Sequence, residues 1–344
     1  MKNRIDLGKY QVRTDLIIEN IDVSKIKQNI VVDEINEDVK VTTVNVDSDL
    51  ENELSKKRGT YVTIEFVDAT NHEDCVLIEE VFSKEVGKFI KRIGIKEDDT
   101  VLIVGLGNRN STADSLGPKV IDRIMVTRHL FELGTDVKKG IRSVAAISPG
   151  VMASTGIETC DIITSIINKI KPSLLIVIDS LASSSISRIN RTIQLTDTGI
   201  HPGSGVGNNR EELSMDTIGI PVIAIGIPTV VESSIIVNDT ITYLFKHLSY
   251  IKNNFSMNKL VFRHNKNYLD KIGCGDLSSD EKKAVSGMLG ELDDGAKREL
   301  ISEVLTSLDY NLIVTPKEID FLIGNLSKVV ALGLDKALHK AVDE

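Results

Sequence analysis

The sequence predicts an α/β protein: a mainly parallel central sheet flanked by helices, with a β-rich N-terminal segment and a helical C-terminal tail. Two observations carry that expectation. Val101 to Val104, the run SLLIVID from Ser173 and Pro221 to Gly226 are short and continuously aliphatic, as strands buried on both faces must be, and turn-forming residues follow each. Hydrophobic residues make up 41% of the chain and aromatics only 4%, with no Trp, so the core is built from Ile, Val and Leu. Such a composition suits strands covered by helices.

Residues 1–25 mix charge with a short apolar patch, Leu16 to Ile18, and read as an arm. Val39 to Val46 and Thr60 to Val67 alternate apolar and polar residues, the pattern of strands with one solvated face, and are expected to pair at an edge. Asn71 to Asp74 reads as a turn and Val76 to Ile93 as a helix. The stretch VLIVGLGNRNSTADSLGP, residues 101–118, is the organising one: a buried strand, a glycine turn at Gly105 and Gly107, a polar loop holding Asp114, and a helix start at Gly117 and Pro118. Lys119 to Leu133 has helical spacing.

A second strand, loop and helix run from Ser143 through PGVMASTGIET to Ile170, and the next strand is expected to stop at Asp179. Ser180 to Ser187 is small and polar, Ile189 to Leu195 alternates like a strand, and HPGSGVGNNR lies in a loop. After Pro221 to Gly226, PTVVES reads as a turn and Ser234 to Tyr250 as a helix. From about residue 256 the chain turns helical, with a capping-box spacing at Ser278 and Glu281 and an apolar stripe from Ile319 to Val330. The organisation expected is an arm at 1–15, an α/β domain at 16–255 and a helical region at 256–344, which is assigned to packing or assembly.

The net charge of -9 argues against a general grip on nucleic acid, which needs clustered Lys and Arg. Cys75, Cys160 and Cys274 are three and widely spaced, which supports neither a disulfide framework nor a tetrahedral zinc site. No signal-peptide pattern or membrane-length apolar run is present, so the expected place is the cytoplasm.

For chemistry, GLGN lacks both the dinucleotide and the P-loop spacing and carries an acid nearby, so a phosphate cradle is disfavoured. The serines after Asp179 lack a G-x-S-x-G setting. Asp114 and Asp179 are each ordinary turn formers taken singly. Delivered together to the carboxyl ends of strands, where open sheets bind ligands, two carboxylates can share a proton and work as base and acid. Asn108, Ser180, His201, Gly203 and Gly205 are candidate substrate contacts around that pair. With His201 the same acids would suit a divalent metal, an alternative left open beside the expectation of no cofactor.

Taken in order, GLGNRNSTADSLGP, SPGVMASTGIET, VIDSLAS, HPGSGVGNNR and IGIPTVVES resemble the germination protease family of spore-forming bacteria. That resemblance implies a phosphorylase/hydrolase-like fold related to hydrogenase maturation endopeptidases, an aspartic-type endopeptidase acting on small acid-soluble spore proteins, a homotetramer, and residence in the forespore or spore core. It also implies Asp114 and Asp179 as catalytic aspartates, and a zymogen that cuts itself between Asp15 and Leu16 within RTDLIIE. Ile17 stands where the family's cleavage pattern has a small Ala. The rival class is a non-catalytic oligomeric small-molecule binder on the same sheet.

Overall fold

A computed structural model describes residues 15–19, 29–54, 56–203, 211–253, 277–306 and 312–342. The chain divides into two compact units, one built from Arg13–Val230 with Thr315–Glu344, the other centred on Val231–Val314. In the first unit the strands and helices run β1 (Ile30–Glu34), β2 (Val39–Val46), α1 (Ser48–Leu54), β3 (Gly59–Phe66), α2 (His72–Ile93), β4 (Val101–Gly105), α3 (Leu116–Ile121), α4 (Arg128–Glu132), β5 (Val144–Ile147), α5 (Met152–Thr155), α6 (Thr159–Ile170), β6 (Leu174–Ser183), β7 (Thr192–Thr196), α7 (Met215–Ile218) and β8 (Val222–Glu232). The second unit holds α8 (Ser233–Asn253), α9 (Ser279–Ser286), α10 (Asp294–Thr306) and β9 (Ile313–Val314). The last helix, α11 (Ile319–Leu338), belongs to the first unit.

The strand order is β1-β2-β3-β7-β8-β6-β4-β5, and the sheet is mixed rather than mainly parallel. β4 pairs in parallel with β5 and β6, but β1–β2, β2–β3, β3–β7 and β7–β8 are antiparallel. As expected, β2 and β3 pair with each other and lie toward one edge of the sheet, beside the edge strand β1, and through β3 and β7 they join the aliphatic strands. Period-2 alternation marks strands with unlike faces, and these favour antiparallel pairing.

Alternate residues of the central strands enter different cores. Val101 and Ile103 of β4, with Leu174, Ile176 and Ile178 of β6, pack in the cluster shared with α2 and α11. Leu102 and Val104, with Leu175 and Val177, pack against Cys160, Ile163 and Ile167 of α6. The continuous apolar runs are required because both faces are covered. The stripe on α11 is buried at Ile323, Leu326, Val330 and Leu334, in the same core as Phe82 and Phe89 of α2.

Several local expectations need correction. Asn71 is the N-cap of α2, its side chain accepting the Asp74 N–H, not the first residue of a turn. The helix expected over Lys119 to Leu133 is two short ones, because the backbone between them bonds elsewhere: Met125 N–H reaches Asp335, and Thr127 N–H donates to the Val144 carbonyl. β6 continues to Ser183, so Asp179 lies inside the strand, and β8 runs through the expected turn at PTVVES. In the second unit, Ser278 and Glu281 do form a capping box on α9.

Candidate active site

The loop carrying Asp114 grows out of a close approach of backbone. A Cβ on Gly105 would lie 2.3 Å from the Gly117 carbonyl oxygen, so the end of β4 and the start of α3 touch directly and the polar loop between them is pinched off as a compact turn. Within it Gly107 adopts φ 111°, a conformation that L side chains avoid, and a Cβ there would stand 2.1 Å from the Asp114 carbonyl oxygen.

Asn108 closes the turn. Its N–H donates to the Asp114 carbonyl at 2.8 Å and to the Asp114 carboxylate at 2.9 Å. A third tie comes from β8, where the buried Thr229 hydroxyl donates to the Ala113 carbonyl at 2.6 Å. Asp114 is half-buried.

Asp179 arrives on the neighbouring strand. Gly105 of β4 is opposite Ile178 of β6, and Leu106 N–H donates to the Ile178 carbonyl at 2.8 Å. Asp179 is therefore the next residue beyond the last β4–β6 pair, and the turn Thr112–Asp114 packs against β6. Its side chain is buried and accepts the Ser180 N–H at 2.8 Å. Thus the two acids come to the same end of adjacent parallel strands.

Other predicted contacts fare differently. The Asn108 side chain accepts from Asn110 N–H within its own turn, while its backbone holds Asp114. Ser180 is half-buried beside Asp179. His201 is exposed and its Nε2 stands 3.6 Å from a Glu212 carboxylate oxygen, whose other oxygen pairs with Lys57 at 2.6 Å. Gly203 is half-buried in the turn after His201, and Gly205 lies outside the described residues. Among the described residues no group of three or more His, Cys, Asp or Glu side chains is placed to hold a metal.

The arm supplies what sequence reasoning left undeveloped. Asp15 to Glu19 lies against the end of β6 at Ala182 and against Gln194 of β7. Asp15 N–H donates to the Ala182 carbonyl at 3.4 Å, and Ala182 N–H returns a bond to the Asp15 carboxylate at 3.0 Å. These bonds occupy the polar backbone atoms of Ala182, within the part of β6 beyond Asp179. The Asp15 carbonyl oxygen accepts from Gln194 Nε2 at 3.0 Å and Lys56 Nζ at 3.3 Å, and Ile17 N–H donates to Gln194 Oε1 at 2.7 Å.

Leu16 and Ile17 are fully buried, Ile17 among Val44, Val46, Leu50 and Leu54. Burying such a side chain is worth about 1.5–3 kcal/mol, against about 1–2 kcal/mol for fixing each residue's backbone. The polar contacts at both ends therefore decide whether the segment stays seated. At the far end the Glu19 carboxylate accepts from Ser183 Oγ at 2.5 Å and Ser184 N–H at 2.7 Å, with Arg188 at 3.5 Å. Burial pushes the Lys56 ammonium below its ordinary pKa, while the nearby Asp15 and Glu19 carboxylates pull it back up.

Gln194 and Lys56 had no local signature. Gln194 reads as an ordinary polar residue of an alternating strand, and Lys56 belongs to the run SKKRG, which reads as solvated charge. Only the tertiary placement of residues 15–19 gives them a role.

Comparison with known proteins agrees across the chain. A family model described as germination protease matches residues 11–344. A germination protease of Priestia megaterium is 45% identical over 362 residues, covering 100% of this chain and 98% of that one. Those of Bacillus licheniformis and Bacillus cereus are 45% and 44% identical, again over 100% of this chain and 97% and 98% of theirs. Among solved structures, a [NiFe] hydrogenase maturation protease from Thermococcus kodakarensis aligns at 17% identity and a TM-score of 0.25, over 41% of this chain and 80% of that one.

Proposed function

This chain belongs to the germination protease family and is a peptidase, and from that premise we propose that it is an aspartic-type endopeptidase that degrades small acid-soluble spore proteins. Asp114 and Asp179 activate the attacking water, one as base while the other protonates the leaving nitrogen. The observation that carries this assignment is the Leu106–Ile178 bond at 2.8 Å, which puts Asp179 one residue beyond β4 while the loop after β4 folds Asp114 back onto Gly107. Two carboxylates brought into one cleft do not ionise independently, which supplies a proton donor and acceptor at the same pH.

The chain is made as a zymogen and its first substrate is its own arm, cut between Asp15 and Leu16. Supporting this is a segment held by polar contacts at Asp15 and by the fully buried side chains of Leu16 and Ile17 just after that bond. The protein works in the spore core without a resident cofactor and assembles as a homotetramer. Exposed Met288 and Val304 give the second unit apolar surface that assembly would cover. No helix among the described residues is long and apolar enough to cross a membrane.

The test is cleavage of a purified small acid-soluble spore protein by the intact chain and by Asp114→Asn and Asp179→Asn, each checked for an unchanged melting temperature. Loss of activity in both, with insensitivity to chelators in the parent, is expected. Full activity in either variant removes the pair from the mechanism.

A further inference from the structure

We infer that Lys56 and Gln194 form the oxyanion-stabilising site for the cut at Asp15–Leu16, an assignment that rests on the self-processing reading above. The carbonyl oxygen of that bond accepts from both side chains, Gln194 Nε2 at 3.0 Å and Lys56 Nζ at 3.3 Å. A protein carbonyl needs one such partner to be satisfied. Two side-chain donors, one of them a cation, exceed what a neutral amide requires and match what a tetrahedral intermediate requires.

The step itself is a hydrolysis. The water oxygen bonds to the Asp15 carbonyl carbon and gives up a proton to the acid pair, while the carbonyl electron pair moves onto oxygen. The C–N bond to Leu16 then breaks as the leaving nitrogen takes up a proton. Negative charge therefore develops on the atom that Lys56 and Gln194 already face. Donors fixed in advance around a developing oxyanion are worth most where water is excluded, and here Leu16 and Ile17 on the leaving side are fully buried.

Each donor is fixed by other contacts. Gln194 lies in β7, and its Oε1 is committed to Ile17 N–H at 2.7 Å, which leaves Nε2 turned to the Asp15 oxygen. That bond also sets the amide orientation, since a flipped Gln194 would face two donors together and two acceptors together. Lys56 stands near the Asp15 and Glu19 carboxylates, which favour its charged form in a largely buried place.

The experiment follows self-cleavage of the full chain by intact mass and by sequencing of the new N-terminus. Lys56→Met and Gln194→Glu are each expected to slow appearance of Leu16 about 100-fold, the loss typical for one oxyanion donor, and Lys56→Arg is expected to recover part of it. Gln194→Glu keeps an acceptor for Ile17 N–H and puts a carboxylate oxygen where the donor stood. Arm seating is read separately, as hydrogen exchange at the Ile17 amide in an Asp114→Asn background that leaves the bond uncut. Protection there is expected to survive both substitutions.

Wild-type rates in the variants would overturn the assignment while leaving self-processing intact. A rate that falls only as far as arm protection falls would also overturn it, showing that the two residues merely anchor the segment. A parent chain that never yields Leu16 would remove the self-processing reading and this inference with it. Should Lys56→Met fail to fold, Gln194→Glu and Lys56→Arg carry the same comparison.

Discussion

Ser184 holds one oxygen of Glu19 twice, through its backbone N–H at 2.7 Å and its hydroxyl at 2.8 Å. The Glu19 side chain is 2% exposed, so this grip takes place away from water, with Arg188 as the counter-charge. Glu19→Gln removes that charge and gives one side of the grip a donor in place of an acceptor. Hydrogen bonds to charged groups are worth about 1.5–3 kcal/mol, so exchange of the Ile17 amide is expected to rise about 10- to 100-fold. Hydrogen-exchange mass spectrometry over residues 15–19 measures this, and unchanged protection would show that the apolar residues alone seat the segment.

Gly107→Ala is expected to disturb both fold and activity. The new methyl would meet the Asp114 carbonyl at 2.1 Å on a backbone with φ 111°, so either the turn opens or Asp114 moves. Strain of this kind costs about 1–3 kcal/mol. Thermal unfolding reports the stability loss, and a spore-protein cleavage assay reports a further drop in kcat from a displaced carboxylate.

Thr229→Val leaves a side chain of nearly the same shape but removes the hydroxyl that donates to the Ala113 carbonyl at 2.6 Å. Thr229 is fully buried, so that carbonyl loses a partner that water does not readily replace. A loss of about 1–3 kcal/mol is expected in denaturant unfolding. Activity should fall more than stability explains at assay temperature, because the residue released is the neighbour of Asp114.

Stability should depend on pH through Asp335. Burial raises its carboxyl to about 6, opposed by a hydrogen bond from the Met125 N–H. A carboxyl raised above its unfolded value binds its proton more tightly in the folded state. Its penalty on the fold is therefore greatest above pH 6 and shrinks as pH falls from about 6 toward 4. Asp335→Asn, which keeps an oxygen for Met125, is expected to raise the melting temperature at pH 8 and to lose that advantage near pH 4.

His339 acts in the opposite sense within the same region. Its Nδ1 accepts the Arg142 N–H at 3.1 Å, which requires neutral imidazole, and burial lowers its pKa accordingly. Its contribution is lost as pH falls through that lowered value. His339→Gln should therefore remove the loss of stability that its protonation brings in acid, whereas Asp335→Asn should remove the opposite slope between about pH 4 and pH 6.

How far the fold could be read depended on whether the deciding interaction was local. Val101 to Val104 and Leu174 to Ile178 announced themselves, because strands buried on both faces need an unbroken aliphatic run. The capping box at Ser278 and Glu281 was legible for the same reason, its partners being three residues apart. The sheet's mixed character was not. It depends on β3 pairing with β7, which joins Tyr61 to Thr196 and Glu65 to Thr192 across more than a hundred residues.

The Asp179 strand shows the same division. Residues 180–183 open a serine-rich stretch that looks like a loop, yet Ala182 finds its partners in Asp15, far away in sequence. Asp114 and Asp179 were visible as acids following aliphatic strands, but Lys56 and Gln194 were not, since nothing beside them in sequence distinguishes them from solvated polar residues. A side chain that serves another segment's backbone leaves no trace in its own neighbourhood.

The return of α11 to the first unit has a consequence for the order of manufacture. Ile323, Leu326, Val330 and Leu334 lie in one core with α2 and the central strands, although more than two hundred residues separate α2 from α11. Domains fold as units, and synthesis delivers the N-terminal side first. The sheet bearing Asp114 and Asp179 therefore waits for α11, more than a hundred residues beyond β6, before its core can close. A peptidase whose core needs α11 stays unfinished on the ribosome until that helix has emerged.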